Sequence, residues 1–282
     1  MSRTLTIFLT LLAMIAFAGN SLLCRLALKG TDIDPASFTS VRIVAGALTL
    51  WFIVRLREGT FRVEGSWPSA LALFVYAAGF SYAYVSLPAA TGALLLFGAV
   101  QATMIGYGLR AGEKLGMRQS AGLVCALGGL AVLLLPGIKT PPLSGSVVML
   151  GAGVAWGVYS IRGKGAGTPL SATAGNFLRA VPLAAGLSAA TLSRCSVDRS
   201  GFWYAVCSGA LASGVGYAIW YRALRWLRAT TAATVQLSVP VIAAVGGVVF
   251  LGESISVRLL IASGAILGGI ALVTVPIHHA RQ

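Results

Sequence analysis

The chain has 282 residues, of which 57% are hydrophobic and 10% charged, and this composition excludes an ordinary soluble domain. A bilayer core of about 30 Å takes roughly 20 apolar residues per helix, so the chain has room for about ten spans with short connections. The net charge of +14 does not indicate a nucleic-acid partner, because the cations are dispersed among the connections. We predict an all-α membrane protein that contacts the lipid bilayer.

Ten apolar segments follow one another along the chain, separated by charged or Pro/Gly-rich residues. The first imitates a cleavable signal peptide at Ala16-Phe17-Ala18, but its apolar run continues to Leu28, so we expect an uncleaved helix. The third and fourth are separated only by Leu87-Pro88-Ala89, where proline favours a break. The predicted spans are 3–27, 35–56, 67–87, 89–110, 117–136, 143–162, 170–193, 200–222, 229–251 and 255–276.

The orientation follows from the distribution of lysine and arginine, which concentrate on the cytoplasmic side of membrane proteins. With the amino terminus in the cytoplasm, 13 of the 21 basic residues fall on the inner side and 6 on the outer side. The remaining two, Arg42 and Arg179, fall within spans. We predict a multi-pass protein of a bacterial inner membrane with both termini in the cytoplasm.

An internal repeat divides the chain. Residues 87–115 align with residues 227–255 at a constant offset of 140, and Arg42 aligns with Arg179 at an offset of 137. Because each copy has an odd number of helices, the second must cross the membrane upside down, so that Glu113 ends a helix at the inner face and Glu253 ends its counterpart at the outer face. We predict ten transmembrane helices in two inverted five-helix repeats, residues 1–138 and 139–282. Such repeats are typical of transporters that bind substrate near the midplane and expose it alternately to the two sides.

Short motifs in the second half make the chain similar to a known group. It resembles the drug/metabolite transporter superfamily, EamA type, and the residues that carry the resemblance are Gly216-Tyr217, Tyr221-Arg222-Ala223-Leu224, Pro240-Val241 and Leu251-Gly252-Glu253-Ser254-Ile255. The resemblance implies ten helices around a central cavity, with helices 5 and 10 peripheral. Within the superfamily, Ser81-Tyr82 and Ala155-Trp156 with Tyr159 look most similar to the branch that exports aromatic amino acids. Ser238 stands where many members have a glutamate, and Val100 replaces the equivalent proline of the first repeat, so no carboxylate site is expected in helix 9.

The residue types that carry catalysis do not converge in this sequence. All seven acids fall in connections or at helix ends, both histidines lie in the tail, and the four cysteines are scattered singly. We therefore expect no enzyme activity, no metal and no cofactor. Without an ionisable carboxylate or histidine in a span, we expect uniport or exchange, or coupling through a group that the sequence does not identify.

The two intramembrane arginines are candidates for holding a substrate carboxylate, because a buried cation is costly unless it is paired or faces water. The alternative for Arg42 and Arg179 is a structural role, either snorkelling toward the interface or bonding carbonyls across the bundle. Six aromatic residues away from most helix ends are candidates for lining the same cavity, with lipid-facing or packing roles as the alternative. They are Tyr82, Phe97, Trp156, Tyr159, Tyr217 and Trp220.

Polar groups and a proline within the spans complete the candidate set. Gln101 and Gln236 must each face another helix or water, so either can bond a substrate. The same argument applies more weakly to Asn20 and Asn176. Pro240 frees a carbonyl about one turn earlier and permits a kink, which serves either gating or shape.

Glycine pairs with GxxxG spacing bear on assembly. Gly153 with Gly157, and Gly264 with Gly268, are expected to pack helices within the bundle, with dimerisation through the last helix as the alternative. The chain is therefore expected to be a monomer or a homodimer.

These features predict a secondary transporter that exports small amphipathic metabolites by alternating access between the two repeats. Amino acids, aromatic ones included, are the expected substrates. A multidrug or nucleotide-sugar carrier of the same fold is the alternative within transport, although a nucleotide sugar demands more cavity cations than Arg42 and Arg179 supply. A membrane receptor or enzyme is the alternative from another class.

Overall fold

The computed structural model describes residues 2–59, 64–112, 116–135, 140–163, 168–227 and 235–274. These residues form ten helices longer than two turns, one 3₁₀ turn at Leu192–Arg194 and no strand. The helices are α1 (Arg3–Gly30), α2 (Pro35–Glu58), α3 (Trp67–Tyr84), α4 (Ala89–Arg110), α5 (Met117–Leu134), α6 (Leu143–Gly163), α7 (Pro169–Ala190), α8 (Arg199–Leu224), α9 (Ser238–Leu251) and α10 (Val257–Thr274). The prediction of an all-α protein is confirmed for the described ranges, and Glu113 lies outside them.

Six of these helices, α1, α2, α4, α5, α6 and α8, are long and apolar enough to cross a membrane, and α9 and α10 are shorter apolar helices. The two that remain, α3 and α7, carry polar groups that face the protein, such as Ser81 in α3 and Thr173 in α7, both of which are buried. Buried polar side chains lower the mean hydropathy of a helix without exposing anything polar to lipid. The count of ten spans therefore stays a prediction.

Two pairs of equivalent helices from the two halves run in opposite directions. Near the start of α5, Gly122 lies against Gly269 near the end of α10, and later in α5 Gly129 lies against Ala265. Likewise, the backbone N–H of Ala89 at the start of α4 donates to the Glu253 carboxylate just beyond the end of α9. This antiparallel pairing of α4 with α9 and of α5 with α10 is the arrangement that an inverted repeat requires.

The two GxxxG pairs differ in their surroundings. A side chain at Gly153 would collide with the Leu96 carbonyl, and one at Gly157 with Thr103, so this pair brings α6 close to α4. In α10, by contrast, a β-carbon at Gly264 or Gly268 would meet no atom of the described residues within 4 Å.

Three local features differ from the predicted spans. α8 contains a π-helical segment, Ser208–Val215, which no sequence pattern indicated. The helical residues before α9 are interrupted at Leu237, so Pro240 lies in the first turn of α9, where its missing N–H breaks no helical hydrogen bond. Arg25, one of the six basic residues that the sequence predicts on the outer side of the membrane, lies within α1 and is only 7% exposed.

The start of α2 is fixed by an aspartate cap. Asp34 Oδ1 accepts hydrogen bonds from the backbone N–H of Ala36 (2.9 Å) and of Ser37 (3.0 Å), and Pro35 occupies the first helical position. The other carboxylate oxygen accepts from the Ser196 N–H at 3.1 Å, which ties α2 to the connection before α8.

Acidification is expected to weaken this cap. Burial raises the pKa of Asp34, but the hydrogen bonds from Ser37, Ser196 and Ala36 together lower it by more. The pKa of Asp34 therefore lies below the usual aspartate value. A depressed carboxyl stabilises the fold above its unfolded pKa, and that contribution is lost as pH falls through the folded value. We expect the melting temperature of Asp34→Asn, measured in detergent, to depend less on pH below about pH 4 than that of the wild type. Identical pH profiles for the two proteins would contradict this.

Candidate functional site

A buried arginine lies at the centre of the bundle. Arg42 of α2 is 2% exposed, and no carboxylate of the described residues forms an ion pair with it. Its Nη2 donates to the Tyr76 hydroxyl at 3.0 Å, whereas its Nη1 has no hydrogen-bond partner in the part of the chain that the structure describes. A buried guanidinium with an unused donor is costly to the fold, so its retention needs a reason other than stability.

A chain of hydrogen bonds connects Arg42 to both halves of the protein. The Tyr76 hydroxyl also accepts a hydrogen bond from Asn20 Nδ2 at 3.4 Å, and Asn20 Oδ1 accepts one from the Ser208 hydroxyl at 2.6 Å. The four residues come from α2, α3, α1 and α8, so this series of hydrogen bonds crosses from the first repeat to the second. Ser208 is also the first residue of the π-helical segment, and such segments frequently mark functional sites.

Aromatic rings surround this polar chain. The Arg42 guanidinium carbon lies 4.8 Å from the ring centroid of Phe80 and 5.3 Å from that of Tyr76, distances at which a cation is attracted to a ring face. The Tyr76 ring lies 4.7 Å from that of Trp156, which stacks at 5.6 Å and 19° on Tyr217. We call the set Arg42, Asn20, Tyr76, Phe80, Trp156, Tyr159, Tyr217 and Ser208 the central cluster.

Further rings extend the central cluster on the side of α6 and α8. Tyr159 stacks on Trp156 at 5.2 Å and 27°, and its hydroxyl donates to Thr173 at 3.2 Å. Phe17 of α1 lies between Tyr217 (5.6 Å) and Trp220 (6.0 Å). The arrangement offers one cation among flat apolar surfaces, which suits a small molecule that has a carboxylate and an apolar body.

A close approach of α8 to α2 positions Arg42. A β-carbon at Gly209 would lie 2.2 Å from the Arg42 carbonyl oxygen, which is part of the backbone and has little freedom to yield. Glycine is therefore needed at this point of the π-helical segment for α8 to reach α2.

Replacing Gly209 is expected to separate these helices. Overpacking of this kind costs about 1–3 kcal/mol, so Gly209→Ala should lower the melting temperature by several degrees. Gly186→Ala in α7 is a matched control, because a β-carbon there meets no described atom within 4 Å. Equal melting temperatures for the two variants, measured in the same detergent, would show that the contact imposes no constraint.

The structure brings together some of the residues that the sequence singled out and separates others. Trp156, Tyr159 and Tyr217 belong to the central cluster, and Trp220 adjoins it through Phe17. Phe97 and Gln101 are buried in α4, Gln236 is half-buried before α9, and Pro240 is buried at its start; none of these four makes a ring contact or hydrogen bond with the cluster among the described contacts. Tyr82 is 40% exposed and lies on the opposite face of α3 from Phe80.

Arg179, the repeat partner of Arg42, has different surroundings. It is half-buried, and its Nη1 donates to the Glu64 carbonyl in the connection before α3 and to the Gly175 carbonyl in its own helix. Both acceptors are backbone groups, so in the described contacts this arginine holds a loop against α7. The two repeat-related arginines therefore have different surroundings in the described contacts.

Sequence reasoning missed Tyr76, Phe80 and Phe17. Leu73, Tyr76, Phe80 and Tyr84 are all buried and follow the i, i+3, i+4 spacing of one helix face, a signal that was present in the sequence. The resemblance to an exporter branch favours Tyr82 instead. Tyr82 is two positions away from Phe80 in the same helix and therefore lies on another face.

Comparisons with known proteins agree with this architecture. The model of the EamA-like transporter family matches residues 4–135 and 143–275. An uncharacterised protein of Pseudomonas aeruginosa is 56% identical over 272 residues, 96% of this chain and 95% of that protein. The threonine/homoserine exporter RhtA of Escherichia coli is 34% identical over 153 residues, which cover 51% of this chain and 50% of RhtA. A crystal structure superposes with a TM-score of 0.67 at 22% identity, covering 97% of this chain and 98% of the other, and supports the fold alone.

Proposed function

Because the chain belongs to the EamA-like transporter family, we propose that it is a secondary transporter that exports small amphipathic amino acids, aromatic ones included, by alternating access. In this proposal it spans the bacterial inner membrane with both termini in the cytoplasm, as the distribution of basic residues favours. Two copies of the family's repeat and apolar helices long enough to span support an integral membrane transporter.

The observation that carries the substrate proposal is the unpartnered Nη1 of Arg42. A substrate carboxylate would accept from this donor, and it would also accept from Tyr76, whose hydroxyl oxygen already receives two donors and keeps its own O–H free to donate. Trp156, Tyr159 and Tyr217 would then stack against the apolar body of the substrate. The α-ammonium would lie over a ring face, an arrangement that aromatic residues support through their negative faces.

Residues outside the central cluster enter the proposal at its margins. Phe97, Gln101, Trp220 and Gln236 would contact substrate only after the helices move, and Pro240 would serve as a hinge at the start of α9. Arg179 and Tyr82 have surroundings that favour structural and lipid-facing roles.

The match to RhtA raises a narrower alternative. RhtA is a threonine/homoserine exporter that aligns with about half of this chain, so small aliphatic amino acids are the second candidate substrates. A nucleotide sugar is disfavoured because the central cluster offers one buried cation for its two phosphates.

Counterflow in proteoliposomes tests the proposal. Proteoliposomes that contain the purified protein would be loaded with an unlabelled amino acid, nucleotide sugar or cationic drug. Their uptake of the same compound in radiolabelled form, in exchange for the unlabelled one, would then be followed. We expect exchange of amino acids, strongest for aromatic ones, and none of nucleotide sugars. Exchange of threonine and homoserine without aromatic amino acids would favour the narrower alternative, and exchange of cationic drugs alone would overturn the proposal.

A further inference from the structure

A buried ion pair lies near one end of the bundle, away from the central cluster. Arg25 Nε of α1 lies 3.2 Å from Glu253 Oε1, and the two side chains are 9% and 10% exposed. Arg25 Nη1 also donates to the backbone carbonyls of Tyr84 (2.8 Å) and Val85 (3.0 Å) at the end of α3. Glu253 Oε2 accepts from the backbone N–H of Ala89 at 2.8 Å.

Each charge is placed where a helix end favours it. The guanidinium caps the carbonyls at the end of α3, where cations are stabilised, and the carboxylate caps the start of α4, where anions are stabilised. A single ion pair therefore joins α1, the α3–α4 connection and the connection after α9. Arg25 belongs to the first repeat and Glu253 to the second, so the contact holds the two halves together at this end.

The ion pair is connected to the central cluster through one face of α3. Tyr76, Phe80 and Tyr84 follow one another at intervals of one turn, with ring centroids 5.5 Å and 4.7 Å apart. Tyr76 and Phe80 contact Arg42, and the carbonyl of Tyr84 binds Arg25. The ion pair therefore lies about one turn beyond the candidate site, at the end where α3 finishes and α4 begins.

Helix α4 is more deeply buried at that end than at its other end. In α4 every residue from 89 to 101 is buried except the half-buried Gly98, whereas Gly108 is the one buried residue of 102–110. A cavity of about 320 Å³ lies beside the pair and is lined by Glu253 and Thr91, among others.

We propose that Arg25 and Glu253 are gate residues of the transport cycle and that their ion pair closes the path from the central cluster to the outer side. The inference rests on the proposed transport function and on the proposed orientation. The outward-open state forms when the connection after α9 separates from α1 and from the start of α4. Separation leaves each charge without its partner, so it requires that water reach both, which is the condition for an open path.

Gly247 adds a requirement that involves no charge. A β-carbon at this position would lie 2.9 Å from Glu253 Oε2, the atom that binds Ala89. Gly247→Ala should therefore displace the carboxylate while leaving both charges present.

Access of a thiol reagent from the outer side tests the gate. Thr91→Cys places a thiol at a position that is 6% exposed, in a protein whose Cys125, Cys195 and Cys207 are changed to serine. Labelling by a membrane-impermeant maleimide would be timed in right-side-out vesicles. We expect Arg25→Gln and Glu253→Gln each to accelerate labelling by about tenfold or more, and Gly247→Ala to accelerate it by a smaller factor.

Arg162→Gln is the matched control. Arg162 is offset by 137 from Arg25, as Arg179 is from Arg42, and it donates to Ser69 Oγ at 3.3 Å near the start of α3, the opposite end of that helix. The Arg162→Gln variant should leave the labelling rate of Thr91→Cys unchanged. Equal acceleration by Arg162→Gln would mean general loosening of the bundle and would overturn the gate, as would unchanged rates in both Arg25→Gln and Glu253→Gln.

Three further readouts separate the possible failures. Acceleration in inside-out vesicles alone would assign the gate to the cytoplasmic side and overturn the outer assignment. Accelerated labelling without counterflow of any amino acid would retain the gate and reject the substrate proposal, whereas counterflow with unchanged labelling would do the reverse. If a charge variant fails to elute as folded protein, Gly247→Ala decides the question: acceleration supports the gate and an unchanged rate rejects it.

Discussion

Arg42→Met is expected to reduce amino-acid counterflow by roughly tenfold or more while raising the melting temperature of the protein. The wild-type residue is a buried cation with an unused donor and no ion-pair partner among the described residues, so an apolar side chain of similar length should stabilise the fold. Loss of charged hydrogen bonds worth about 1.5–3 kcal/mol lowers exchange by roughly ten- to one hundredfold. Stability and transport therefore move in opposite directions, as expected for a residue retained for function.

The measurement pairs radiolabelled counterflow with thermal unfolding of one preparation. Arg179→Met is the repeat-related control, and because that guanidinium binds backbone carbonyls of Glu64 and Gly175, we expect a lower melting temperature and exchange within about twofold of the wild type. Arg42→Met with a lower melting temperature and unaltered exchange would assign Arg42 a structural role. If exchange and melting temperature both fell in Arg42→Met and in Arg179→Met, the two arginines would have the same role, and their different surroundings would not matter for function.

The helical architecture could be predicted from the sequence because hydropathy and repeat spacing report directly on helices in lipid. Glu253 illustrates where this reasoning stopped. The sequence predicts only that it ends a helix at the outer face, and the fold buries it against Arg25, a residue 228 positions away. Such a pairing depends on how the two halves pack, which no local pattern encodes.

The central cluster was predicted in part for a similar reason. Trp156 and Tyr217 were identified as mid-span aromatics, but their stacking joins α6 to α8 and required the fold. The Tyr76–Phe80–Tyr84 face of α3 was accessible from helical spacing alone. The π-helical segment that brings Ser208 to Asn20 was not, since a run of small residues is compatible with an ordinary α-helix.

Trp156→Leu is expected to reduce exchange of aromatic amino acids by about tenfold and to change exchange of threonine by less than about threefold. The indole of Trp156 contacts three rings, those of Tyr76, Tyr159 and Tyr217, and Tyr76 in turn binds Arg42. A ring stacked on it gains about 0.5–1.5 kcal/mol beyond burial, a gain that an aliphatic side chain does not receive. Leucine retains an apolar side chain at this half-buried position, which limits the packing loss that alanine would cause.

Trp203→Leu serves as the control, because Trp203 of α8 is 55% exposed and lies outside the central cluster. Exchange of both substrates by this variant should match the wild type. A tenfold loss of threonine exchange in Trp156→Leu, equal to the loss for aromatic amino acids, would mean that Trp156 supports the site without contacting the substrate ring. A loss confined to aromatic amino acids would instead place the ring of the substrate against α6, with its carboxylate directed to Arg42, and would separate this transporter's selectivity from that of a threonine exporter.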